Sequence, residues 1–201
     1  LALLVVKLRR SSNLFRTLYF VPSLLSLVAT GIIWQWMLNT NNGLVNSLLE
    51  RVGLSAVRWF TSEKMAMISI VIVTIWRWAG YFMVIYIAAL RNISKSYYEA
   101  AEIDGANAVQ RFRHITLPSL YPSIFFVMMM NTIGSFQEFD LFYAITQGGP
   151  GTATYVTGFY MWQESFTALN LGYGSAMSTF LFVIILAFTF VQFKLNSKQD
   201  V

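Results

Sequence analysis

The chain carries 201 residues, of which 56% are hydrophobic and only 11% charged. Soluble domains hold about a quarter charged residues, so this composition belongs in a membrane. Cysteine is absent, which excludes a disulfide framework, thiolate chemistry and a cysteine-based metal site, and the net charge of +5 is scattered among apolar segments with no basic aromatic platform, which excludes nucleic acid as a partner.

Leu1 to Val6 is an apolar run too short to span a bilayer, followed at once by Lys7, Arg9 and Arg10. A signal peptide places its charges before the apolar run, so the reading is the tail of a truncated helix. Four segments, approximately 17–38, 65–90, 119–140 and 172–193, reach the roughly twenty apolar residues that a hydrocarbon core demands. In the first, Pro22 lies near the start, where a proline is tolerated or kinks the helix slightly. Asn39 to Gly43 then form a polar turn. Leu44, Leu48, Leu49 and Val52 recur at helical spacing, predicting a short helix over 44–52 at the outer interface. Trp59 and Phe60 anchor the next segment at headgroup level.

The second span carries Arg77 near its middle, between Trp76 and Trp78. A charge at that depth costs about 2.5–3.5 kcal/mol on insertion scales, so it must face protein or water. Glu138 and Asp140 are the nearest candidate partners in sequence. A contact that only holds helices together and a role in a solute path both fit this pattern.

Residues 99–118 read EAAEIDGANAVQRFRHITLP. Glu99, Ala100 and Ala101 open a run of good helix formers whose small side chains allow another surface to approach closely. Gly105 takes positive φ at low steric cost and turns the chain. Pro118 suits the first turn of the following helix, where its missing N–H costs nothing. The segment fits E-A-A-x3-G-x9-I-x-L-P at Glu99, Ala100, Ala101, Gly105, Ile115, Leu117 and Pro118. That pattern resembles the cytoplasmic loop of ABC importer permeases. The resemblance implies two short helices around a turn that docks into a cleft on the ATPase subunit, with Glu99, Ala100, Ala101, Asp104 and Gly105 as the coupling residues.

Pro118 and Pro122 open the third span, and Met128 to Met130 give it an adaptable apolar stretch, read as core packing. Beyond it, Thr146-Gln147-Gly148-Gly149-Pro150-Gly151 is a flexible, turn-rich stretch that cannot continue a helix. In this position it resembles the Gly-Gly-Pro loop of the sugar-type permeases, the branch that includes the maltose importer's larger membrane subunit. Phe15 to Phe20, Tyr98 to Gly105, Phe136 and Phe139 extend the likeness over nearly the whole chain. It implies a contact of Gly148, Gly149 and Pro150 with an external binding protein. Positions that line the sugar site in that branch correspond to Thr74, Arg77, Trp78, Tyr81, Gly134, Ser135 and Glu138. Most residue types differ there, so maltose itself is not implied. Aromatic faces beside hydrogen-bonding groups suit a carbohydrate, and equally suit helix packing.

Ten of the fourteen Lys and Arg residues fall on one side of the expected spans: Lys7, Arg9, Arg10, Arg16, Arg91, Lys95, Arg111, Arg113, Lys194 and Lys198. Arg51, Arg58 and Lys64 fall on the other side. Cytoplasmic loops carry the excess, so the EAA-like loop and the C-terminus are expected in the cytoplasm of a prokaryotic inner membrane.

The chain has no G-x4-G-K-[ST] loop, so ATP and Mg are expected on partner subunits and the chain is not itself an enzyme. His114, alone in a basic loop, reads as a surface residue.

The expected fold is an all-α transmembrane helical bundle of the type I ABC importer permease kind. It would form a single permease domain over 1–201, lacking its N-terminal helices, with the coupling loop at 94–118. The expected function is the solute path for a sugar or oligosaccharide. The expected partners are a second related permease, two ATPases, an external binding protein and the lipid bilayer, with no cofactor of its own. The alternatives are a permease for another polar solute such as glycerol 3-phosphate, or a channel or scaffold subunit without ATP coupling.

Overall fold

A computed structural model describes residues 1–7 and 12–196, and among them every regular element is helical. Of the charges that set the expected orientation, Arg9, Arg10 and Lys198 lie outside the described residues. The chain divides into two compact units, one of Leu1–Leu24 with Arg77–Asn131 and one of Leu25–Trp76 with Thr132–Val201.

The first unit holds α1 (Ala2–Lys7), α2 (Ser12–Leu24) and the second half of α5 (Glu63–Asn92). Val5, Met83 and Ile87 are buried together, with Ala2 and Phe15 against them. Gly80 sets the spacing between α2 and α5. A Cβ there would overlap the Tyr19 carbonyl, so the two backbones touch with no side chain between them. Small residues at a helix crossing are the usual means of such approach in membranes, where packing drives association. The unit continues through α6 (Lys95–Ile103), α7 (Ala108–Arg111) and a wide π-helical turn (Phe112–Thr116) into α8 (Leu117–Gln137).

The second unit is built on Ile70, Val73, Leu141, Phe142 and Ile145, with Leu27, Trp34, Phe60, Met67 and Val156 packed on them. Here α3 (Leu27–Met37) lies against α9 (Asp140–Ile145). A Cβ at Gly31 would come 2.8 Å from that of Ala144. The amide of Gln35 donates to the carbonyls of Ala144 and Ile145, at 3.2 and 2.5 Å, capping the end of α9. Trp34 and Trp76 meet edge to face at 5.2 Å. The loop between α3 and α5 is organised by Asn46, buried on α4 (Leu44–Arg51). Its Nδ2 donates to the carbonyls of Thr40 and Val57, both at 2.9 Å, and its Oδ1 accepts from the Val57 amide and the Trp59 indole. The unit ends in α10 (Thr157–Trp162), a second π-helical turn (Gln163–Thr167) and α11 (Leu171–Asn196).

Several expectations are corrected. The segment 17–38 is not one helix: α2 ends at Leu24 and α3 starts at Leu27. Pro22 supplies no N–H to the carbonyl one turn back, the Ser23 hydroxyl donates to the Phe20 carbonyl at 2.7 Å, and Ser26 is extended at φ −56°, ψ 140°. Of the four expected spans, α5 and α11 are long and apolar enough to cross a bilayer alone, and α2 with α3 adds a third if the broken pair is one span. The 21-residue α8 covers most of 119–140, but Pro118, Pro122, Asn131 and Gln137 hold its apolarity down. Met128 and Met130 are not core residues; they are exposed, because the buried face of α8 runs through Leu120 and Val127. Pro118 does sit in the first turn of α8, yet the helix is continuous from α7 behind it. The i to i+5 bonding of the π turn, with Leu117 donating to the Phe112 carbonyl, accommodates it.

Candidate functional site

Within the first unit, Ser94 caps α6 by accepting from the Ser96 amide. Glu99, Ala100 and Ala101 therefore lie mid-helix rather than at its start. The start signal is Ser94 itself, five residues before Glu99 and outside the E-A-A pattern.

Asp104 closes α6, and Gly105 follows at φ +76°, the left-handed turn expected of it, with nothing within 4 Å of where its Cβ would be. Asn107 and Gln110 form a reciprocal capping box that starts α7. Glu99, Ala100, Asp104 and Gly105 are exposed and Ala101 is half-buried. Ile103 is 87% and Val109 73% exposed, so two apolar side chains flank the turn with little cover from the described residues. A hollow of about 380 Å³ lies under the turn, lined among others by Ala101, Asp104, Gln110, Arg111 and His114. Two cross-links that the motif does not contain tie α6 to the helical segment after the turn. Arg111 pairs with Glu102 at 3.3 Å, and the Tyr98 and Thr116 hydroxyls share a hydrogen bond at 2.8 Å.

Thr74, Arg77, Trp78 and Tyr81 succeed one another at helical spacing along one face of α5. In the first unit, the Arg77 guanidinium lies 5.5 Å from the Trp78 ring centre and is buried, and Trp78 meets Tyr81 edge to face at 5.6 Å. Phe82 joins them, 5.4 Å from Tyr81. In the second unit, the Thr74 hydroxyl is turned back to the Ile70 carbonyl at 3.0 Å, and the Ser135 hydroxyl to that of Thr132 at 3.0 Å. Gly134 faces open space. Glu138 is half-buried just beyond the end of α8, in the break before α9, rather than within a helix.

The Gly-Gly-Pro stretch is also in the second unit and is a packed turn rather than a loose one. Gly148 has φ +83°, and a Cβ there would come 2.7 Å from the Tyr155 ring and 2.8 Å from Phe159. Thr154, fully buried, donates to the Gly149 carbonyl at 2.7 Å and shares a hydrogen bond with the Thr146 hydroxyl, also 2.7 Å. Gly149 and Pro150 are half-buried beside it. Nearby, the hydrogen bond with Tyr173 pushes the Tyr160 phenol up, with the Glu164 charge acting in the same sense.

The family described as "Binding-protein-dependent transport system inner membrane component" matches residues 1–200. The sulfoquinovosyl glycerol transport system permease of Agrobacterium fabrum is 37% identical, over 90% of this chain and 58% of its own length. The lactose transport system permease of Rhizobium radiobacter is 38% identical, over 92% of this chain and 63% of its own. The chain thus spans under two thirds of these relatives. The crystal structure of a bacterial ABC transporter involved in the import of the acidic polysaccharide alginate superposes with a TM-score of 0.87 at 22% identity, over 98% of this chain and 70% of that one. The chain belongs to the family of binding-protein-dependent transport system inner membrane components and is a membrane-embedded permease component.

Proposed function

We propose that the protein contributes the solute path of an ABC importer for a sugar or oligosaccharide, driven by ATPases on separate subunits. The observation that carries the reading is the exposed helix, left-handed turn and helix around Gly105, which offers Ile103 and Val109 to another surface. Residues 94–118 are the coupling loop within one permease domain and face the cytoplasm. Glu99, Ala100, Ala101, Asp104 and Gly105 sit against the ATPase. Gly148, Gly149 and Pro150 face outward toward a solute-binding protein, and a second permease completes the membrane part. Support for a carbohydrate solute comes from the relatives named for lactose and for a sulfoquinovosyl glycerol, and from the rings of Trp78 and Tyr81 beside Arg77. In this reading Thr74, Gly134, Ser135 and Glu138 complete the path.

The test is purification with the ATPases and binding protein, followed by uptake into vesicles. Gly105→Val forces a branched side chain into a left-handed turn at a cost on the order of 1–3 kcal/mol, and solute uptake per ATP hydrolysed should fall. Normal uptake and solute-stimulated hydrolysis at equal expression would refute the docking role. The ligand carried by the co-purified binding protein identifies the solute.

A further inference from the structure

Between α6 and the helical segment after the Gly105 turn, the contacts are of unequal strength. The Glu102–Arg111 pair is near the turn, and its glutamate side chain is 70% exposed, so solvent and salt weaken it. The Tyr98–Thr116 bond lies farther from the turn, and Thr116 is only 5% exposed. A hydroxyl buried to that degree needs a partner, and Tyr98, 18 residues away, supplies it.

A left-handed glycine alone is a pivot about which α6 can swing. A second fixed point, one turn or more from the pivot, removes that freedom. Thr116 closes the π-helical turn and adjoins Leu117, the first residue of α8. Force on α6 is therefore delivered to the start of α8 through Tyr98 rather than dissipated at Gly105. Wide π turns inside longer helices are frequent at functional sites.

We propose that the Tyr98–Thr116 hydroxyl pair is the transmission link of the coupling loop, with both as positioning residues that make α6 and the root of α8 move as one body. This rests on the importer reading above.

The experiment uses the assembled transporter in vesicles, with Tyr98→Phe, Thr116→Val, the double variant and Thr116→Ser. Each is scored for assembly with the ATPase, for ATP hydrolysed and for solute taken up. Both single variants keep side-chain shape and lose one hydroxyl. Solute moved per ATP should fall about fivefold in each, with no further fall in the double variant, and Thr116→Ser should restore it. An unchanged ratio in both single variants overturns the proposal. So do losses that add in the double variant, or a fall that tracks only the amount of complex assembled. If the unaltered chain neither binds an ATPase nor takes up solute, the importer reading itself fails, an outcome visible before any variant is compared.

Discussion

Asn46→Ala removes a side chain that holds the segment between α3 and α5 together. The asparagine is 1% exposed and makes four short bonds. Its loss orphans two donors, the Val57 amide and the Trp59 indole, and two acceptors, the carbonyls of Thr40 and Val57. An orphaned buried group costs about 1–3 kcal/mol, and water entering the vacated space recovers part of it, leaving a net loss of about 3–5 kcal/mol. At about 2–4 °C per kcal/mol for a chain of this size, the midpoint of thermal unfolding in detergent should drop by about 6–20 °C. Asn46→Asp keeps the acceptor and loses the donors, so it should fall between the two. Hydrogen exchange at the Val57 amide reads the same site locally and should speed up in the alanine variant. A midpoint within about 2 °C of the parent, with Val57 exchange unchanged, would refute this account of the loop.

Gly80→Leu should prevent α2 from packing on α5, because even a Cβ overlaps the Tyr19 carbonyl; a loss of about 3 kcal/mol or more, read as lower yield of folded protein, is expected. Gly148→Val combines a φ of +83° with a clash against Tyr155 and Phe159, and should destabilise by about 2–4 kcal/mol, measured by thermal unfolding, whether or not a binding protein is present. Arg77→Met and Glu138→Gln should each alter which solutes are taken up, on the order of tenfold in relative rate. Uptake with unchanged selectivity by an assembled variant would remove that residue from the path.

The long helices are legible in the sequence because α5 and α11 each carry more than enough continuous apolar length, a signal that survives any detail of packing. Gly105 is legible because its conformational role is local, and the structure gives it the positive φ expected. The break near Ser26 is not, since apolar residues lie on both sides of it and only backbone angles distinguish two helices from one. Asn46 is hidden for a different reason: its partners are mainly backbone groups, which have no identity in a sequence. Tyr98 and Thr116 escape because they lie on separate helical segments that fold back on each other about the Gly105 turn, and periodicity within one helix cannot show which residues meet across it. The Gly-Gly-Pro stretch looks loose on composition, while Thr154, four residues past the proline, ties it down.

The unequal apolarity of the helices bears on what holds each of them in a bilayer. α5 and α11 are each long and apolar enough to cross a bilayer, and only 6% of the α11 window is covered by the rest of the chain. α8, with its two prolines and its amides, is less apolar, so its place in a bilayer should rest more on packing against other helices. Holding α8 in a bilayer should therefore be more sensitive to loss of its neighbours than holding α11. α11 gives the far end of α8 a polar partner, Gln192 donating to the Thr132 hydroxyl at 2.7 Å.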